Sequence, residues 1–315
     1  MTAFGDFAPL CTNTPSYTWC NLFYRQLQRT NDALLTGLSA SPTTAPVGVN
    51  PICGIAPIFS TVGPKPALGN IANIIACGLS FFLVLLLIFL SHRRKAAVGR
   101  IELRALLILY ALSLPLQLLT TGAVLKQGEL PIVVLTALHA GVVAALFWAL
   151  LANGVVATQV VEDGTMSSLI PYYTFSLLIF GLAVYLSLDV ALGVTNVIGA
   201  PADPPEALRS ISLFVVLNIW PPVATILYFG LMSWIVLKVL KETRPMYYYI
   251  LSAFLFVLAQ LAWFLLGKVV CKASNSRVDG SFIATVLETA AVGVLYLAWR
   301  SITEESWDDE IYYPS

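Results

Sequence analysis

Charge is what this chain has least of. Its 315 residues include 17 Lys or Arg, 17 Asp or Glu and two His, so charged side chains make up 11% of it and the formal net charge is zero. A water-soluble domain is usually about 25% charged, and a deficit this large excludes a surface wetted on all sides. Zero net charge gives no support for nucleic acid as a partner. Histidine is too rare for a metal cluster: His92 and His139 lie far apart, and no Cys, His, Asp or Glu spacing matches a metal grip. Gly-x-Ser-x-Gly and a phosphate-cradling glycine loop are absent as well. Asp308-Asp309 imitates a metal-binding acid pair superficially, in a short polar tail. No catalytic apparatus, metal or cofactor is therefore expected, and the chain does not read as an enzyme.

What it has instead is apolar sequence. Hydrophobic residues make up 58% of the chain and the mean hydropathy is +0.83. Seven runs approach the ~20 residues that cross a bilayer core: Asn70–Leu90, Ala105–Val124, Leu130–Ala152, Ser168–Leu188, Ile211–Leu237, Tyr247–Gly267 and Ser281–Trp299. Pro115 should kink the second and Pro221-Pro222 the fifth. The opening MTAFGDFAPLC has no basic segment followed by an apolar one, so the first span is expected to serve for insertion. Lipid is the expected surroundings of most of the chain.

Orientation follows from the short loops. Arg93, Arg94, Lys95, Arg100 and Arg104 concentrate at the first, and Lys238, Lys241 and Arg244 at the fifth. Lys126, Arg209, Lys268, Lys272 and Arg277 oppose them. The fold class is thus an all-α membrane protein, a seven-transmembrane-helix bundle with its N-terminus lumenal or extracellular and its C-terminus cytoplasmic. Its parts are residues 1–69, Cys- and Pro-containing and lumenal; 70–300, the helical membrane domain; and 301–315, an acidic cytoplasmic tail. In this topology Cys11, Cys20, Cys53 and Cys271 all face the oxidising side, while Cys77 lies in the first span. An even count there suits a disulfide framework. Three pairings exist; Cys11–Cys20 with Cys53–Cys271 is favoured, since it staples the Pro-rich segment to the sixth loop. Four small apolar side chains left reduced would be the alternative. An amphipathic helix is expected over Asn21–Leu35.

Three places stand out for function. Gln117, His139, Asn218, Gln260 and Glu288 fall at one depth, about 10–14 Å below the lumenal surface at ~1.5 Å per residue. A carboxylate there must be paired or protonated within the bundle, and His139 is the expected partner of Glu288. Such a layer makes either a proton, ion or ligand site or a set of interhelical hydrogen bonds. The second place is Glu162-Asp163-Gly164-Thr165, a tight turn between spans three and four, with Ser167 or Ser168 as cap of the following helix. It can contact basic residues of a partner or Arg93–Lys95 of this chain. The third is the tail EESWDDEIYYPS, in which Asp308-x-Glu310 has the form of a di-acidic export signal, or of a plain solvated acidic end. A retinal protein is excluded by the absence of lysine in span seven. The triplet Asp-Arg-Tyr after span three and Asn-Pro-x-x-Tyr in span seven, marks of common seven-span receptors, are missing too.

Phe4-Gly5-Asp6-Phe7 followed by Cys11 and Cys20, Ala97-Val98-Gly99-Arg100-Ile101-Glu102, and Trp148-Ala149-Leu150-Leu151 running to Glu162–Thr165 together resemble the fungal chitin synthase export chaperones. Cys271, Asp279-Gly280 and the acidic end after Trp299 extend the resemblance over nearly the whole chain. It implies a multi-pass protein of the endoplasmic reticulum membrane that binds a chitin synthase, prevents its aggregation and enables its export. Chitin synthase, the vesicle-coat export machinery and membrane lipids would then be its partners, and it would support cell-wall chitin synthesis. It could also accompany its client to the plasma membrane as a stable regulatory subunit of the synthase. A transporter or receptor using a His139–Glu288 layer is the alternative from a different class. Small residues for packing against a client include Gly78 and Ser80, Gly141 with Ala140, Ala144 and Ala145, and Ala290, Ala291 and Gly293.

Overall fold

In the computed structural model the described residues are 3–31, 35, 53, 55, 58, 68–94, 97–195, 198–201, 203 and 207–303. Two short helices come first, α1 (Ala8–Asn13) and α2 (Cys20–Thr30). Seven helices long and apolar enough to cross a membrane follow: span one Ile71–Arg93, two Arg100–Thr121, three Leu130–Ala157, four Met166–Leu192, five Ile211–Val239, six Arg244–Ala273 and seven Gly280–Thr303. An odd number of crossings puts the N-terminal helices at one end of the bundle and the C-terminal end of span seven at the other. These are called below the cap end and the tail end.

The helices run beyond the apolar stretches at the tail end. Span one continues to Arg93, span two begins at Arg100 and span six at Arg244. Hydrogen bonding carries a helix past the point where its side chains stop being apolar, so hydropathy places the lipid-facing part and not the helix end. Pro245 starts span six, at a position where a missing N–H leaves no bond unmade. The expected serine cap of span four is absent: Thr165 holds the N-cap position without a side-chain cap bond. Ser168 Oγ instead donates to Glu102 Oε1 at 2.7 Å.

Pro115 lies within a continuous span two. In span five the proline pair leaves a different mark. Pro221 and Pro222 offer no N–H to the carbonyls four residues back, and the turn before them, Val215–Ile219, is widened to π geometry. Two more π turns lie at Ile235–Val239 and at Ala262–Leu266 in span six. Beside the last, a Cβ on Gly280 would lie 2.3 Å from the Ala262 carbonyl oxygen and 2.7 Å from Gly267 Cα. Only a glycine permits span seven to start so close to span six.

Span six packs chiefly on span seven, span three on spans two and four, and span five on span three; span one joins spans two and seven. At the cap end α2 lies on spans three and four. Phe7 and Phe23, both fully buried with ring centroids 4.8 Å apart, form one core with Leu22, Val190 and Leu213. Each such side chain contributes roughly 1.5–3 kcal/mol by burial. The disulfide Cys11–Cys20 joins α1 to α2, with Cα atoms 5.6 Å apart. Cys53–Cys271, 6.0 Å between Cα atoms, ties the chain before span one to the end of span six. Cys77 is reduced and buried.

Candidate functional site

A cavity of about 420 Å³ lies inside the bundle, walled by spans two, three, five, six and seven. The segment between α1 and α2 roofs it: Tyr17, Thr18 and Trp19 all line it. Tyr17 Oη donates to Asn218 Oδ1 at 2.5 Å, and burial pushes its hydroxyl above the ordinary tyrosine range. Trp19 packs against the His139 ring at a tilt of 55°, with 5.3 Å between ring centroids. Because Cys20 immediately follows Trp19, the Cys11–Cys20 bridge fixes the roof as well as the cap. Further in, the walls are largely apolar and aromatic, with Leu146, Phe147, Phe229, Phe256 and Val292 among them.

All five residues read at one depth, Gln117, His139, Asn218, Gln260 and Glu288, line this cavity. Their pairing is not the expected one. Glu288 Oε1 accepts from Gln260 Nε2 at 3.0 Å, whereas His139 Nδ1 lies 3.2 Å from Thr120 Oγ1. The His139–Glu288 pair is corrected for a simple reason: span six packs along span seven, while span three faces span two. Depth along the membrane normal locates a layer; direction around each helix axis decides who touches whom. Asn218 Nδ2 and Trp263 Nε1, both lining the cavity, are buried donors without a partner among the described residues. Trp263 escaped the sequence reading because an indole in an apolar run looks like any other hydrophobe.

Toward spans one and seven the polar groups are joined to one another. Gln117 Nε2 donates to Thr285 Oγ1 at 2.8 Å, and Asn73 Nδ2 to Thr121 Oγ1 at 2.6 Å. Thr289 Oγ1 lies 2.8 Å from both Tyr110 Oη and Ser80 Oγ. Above them Asp279, fully buried, accepts from Ser16 Oγ, from Asn70 Nδ2 at 3.1 Å, and from the N–H (3.0 Å) and Oγ of Ser281. One carboxylate thereby joins the cap to the starts of spans one and seven. In the sequence Asp279 stands out only within the family resemblance, since nothing local reveals Ser16 and Asn70, more than 200 residues away, as its partners.

At the tail end the turn after span three is fastened to the start of span two. Asp163 Oδ2 accepts from the Gly99 N–H at 2.8 Å, and Glu102 Oε1 from the Gly164 N–H at 2.9 Å. Asn153 Nδ2 reaches the Glu102 carbonyl and the Tyr172 hydroxyl, each at 3.3 Å. The bonds described for Glu162–Thr165 run to Gly99 and Glu102, just past the Arg93–Lys95 stretch expected to receive them; Lys95 itself lies outside the described residues. Gly164 has a φ of 68°, as the turn requires. Glu162 stays exposed. The small residues divide likewise: a Cβ on Gly141 would lie 2.7 Å from Phe180 and Val184 of span four, but Gly78 and Gly293 have open space beside them. Asp308 and Glu310 lie outside the described residues. Among the described residues, no three His, Cys, Asp or Glu side chains gather as a metal site would need.

Seven apolar spans, a disulfide-held cap and a largely apolar cavity define a polytopic helical membrane protein. Comparison with known proteins narrows this. The chain belongs to the chitin synthase export chaperone family, whose profile matches residues 3–312. It is 28% identical over 317 residues to a chitin synthase export chaperone of Fusarium oxysporum f. sp. lycopersici, covering 97% of this chain and 84% of that one. A relative of the same description from Chaetomium globosum is 31% identical over 71% of this chain and 65% of its own. One from Kluyveromyces lactis is 24% identical, covering 96% and 93%. The family is one of export chaperones and not of enzymes. No solved structure matches the chain.

Proposed function

We propose that this protein escorts a chitin synthase, binding it in the endoplasmic reticulum membrane, assisting its folding and enabling its export. The family match over nearly the entire chain carries this reading, and the absence of a catalytic constellation in the sequence agrees with it. The cap end is lumenal and the tail end cytoplasmic: basic residues favour the first and fifth loops for the cytosol, and both disulfides belong to the cap end, where an oxidising compartment would form them.

Client helices would approach where small residues have open space beside them, at Gly78 of span one and Gly293 of span seven. Glu162, exposed on a turn whose Asp163 and Gly164 are held internally, offers a fixed acid to basic cytosolic residues of the client. Asp308-x-Glu310 would then recruit vesicle-coat adaptors. Deleting the protein in a fungus that carries it should leave the synthase in the endoplasmic reticulum and lower wall chitin, read by a tagged synthase and a chitin stain. Normal surface delivery in the deletion strain would overturn the reading.

A further inference from the structure

The cavity plays no part in the escort reading above, and its chemistry points to an occupant. At about 420 Å³ it lies within the 300–1,000 Å³ range common for small-molecule sites. Its deeper walls are mostly aliphatic and aromatic, the hydroxyls of Tyr110, Ser113, Thr225 and Ser252 there being bonded within the protein, and no Lys or Arg lines it. A phosphate or carboxylate head would therefore meet Glu288 with nothing to balance its charge. A hydrophilic sugar would find too few hydrogen-bonding groups along the deeper walls.

Two donors are left over at the polar end, Asn218 Nδ2 and Trp263 Nε1. Leaving such donors unmatched in a buried site is costly, and both sit in widened turns of their helices: Asn218 in Val215–Ile219 and Trp263 in Ala262–Leu266. Turns of this kind recur at functional sites because they re-aim side chains that a regular helix would point elsewhere. Glu288 adds an acceptor, since its hydrogen bond to Gln260 engages Oε1. Two donors and one acceptor around one end match a hydroxyl, which accepts through its lone pairs and donates its proton.

Access is lateral. Spans five and six pack sparsely on each other; the ring contact between them, Tyr228 with Tyr249 at 6.4 Å, lies toward the tail end. Between their cap-end halves are the cavity walls least covered by protein, including Phe264, which is 37% exposed. An amphiphile dissolved in the bilayer can enter there without crossing water.

We propose that this cavity binds an uncharged membrane amphiphile whose hydroxyl head rests against Asn218, Trp263 and Glu288 and whose apolar body fills the space between spans three, five and six. A sterol and a monoacylglycerol both have that chemistry. The inference does not depend on the client, and its test needs no synthase. The full chain, purified and placed in phosphatidylcholine nanodiscs, is exposed to a photoactivatable sterol, a photoactivatable monoacylglycerol and a photoactivatable phosphatidylserine.

Saturable labelling of spans five and six by one or both hydroxyl probes, at about one per chain, is expected, and which probe labels identifies the source. Trp263→Phe should lower that labelling about tenfold, the effect of one lost hydrogen bond to a buried head. Ala291→Phe, which fills the cavity from span seven, should abolish it, with circular dichroism and gel filtration reporting that both variants are folded. Equal labelling by the phosphatidylserine probe would overturn the proposal. So would no saturable labelling by either hydroxyl probe, or labelling that both folded variants leave unchanged.

Discussion

The two sides of the bundle differ in which of the described polar side chains they leave unmatched: Glu102 Oε2 at the tail end of span two, and two donors beside the cavity on spans five and six. Around spans one, two and seven, Asn73, Gln117, Thr285 and Thr289 find partners on neighbouring helices, and Asp279 gathers four hydrogen bonds at the cap. Around spans five and six, Asn218 and Trp263 each keep a buried donor without a partner among the described residues. Residue types are similar, and so is depth. The difference lies in packing: spans one, two and seven press together and their polar groups meet. Spans five and six pack sparsely on each other, and there, of the described residues, only Gln260, with Glu288, and Ser252, with the Ala291 carbonyl, find partners on span seven. One side is built to stay assembled. The other retains unused hydrogen-bonding capacity.

Substitutions on the two sides should therefore differ in size and in sign. The largest effect is expected at Asp279. Asp279→Ala removes the acceptor for Ser16, Asn70 and Ser281 and leaves their donors buried, costing about 3 kcal/mol. Denaturant titration in micelles should show it as an earlier unfolding midpoint. Asp279→Asn, which keeps an oxygen acceptor, should recover part of the loss. A midpoint unchanged in Asp279→Ala would mean that the assembled side is not held by its polar groups.

A smaller loss is expected within the membrane. Thr289→Val keeps shape but deletes the oxygen shared by Tyr110 and Ser80. Hydrogen bonds between membrane helices contribute about 0.6 kcal/mol on average, so a loss of about 1 kcal/mol is the expectation for two. The same titration reads it. A loss as large as that of Asp279→Ala would show that the cap junction at Asp279 has no special place among the polar contacts.

The legibility of the molecule divides along similar lines. Seven spans could be counted from hydropathy because each needs its own apolar length, and the parity of the cysteines outside them singled out four for bridging. Depth is also one-dimensional information, and it sufficed to group Gln117, His139, Asn218, Gln260 and Glu288. What a linear pattern lacks is the direction each side chain points around its helix. Gln260 therefore displaced His139 as the partner of Glu288, and Ser168 turned from a capping role to Glu102. Asp279 and Glu102 were hidden differently: each stands beside an apolar run, like a loop acid, and is buried only by residues far off in the chain. The three π turns left no sequence mark except where Pro221-Pro222 forces one.

The finest test of the contrast is a substitution whose sign should depend on what is in the cavity. Trp263→Phe removes the indole N–H and keeps an aromatic ring in the wall. In protein stripped of lipid by detergent washing, that donor has nothing to bond, and deleting an unmatched buried donor costs little or stabilises slightly. The unfolding midpoint should stay within the equivalent of about 0.5 kcal/mol of the parent. With a bound hydroxyl amphiphile the order reverses, because binding stabilises the folded state in proportion to affinity and the variant binds less. The parent's midpoint should then rise on adding the amphiphile while that of Trp263→Phe barely moves. An equal rise in both would show that the donor at Trp263 is not what the open side of the bundle keeps in reserve.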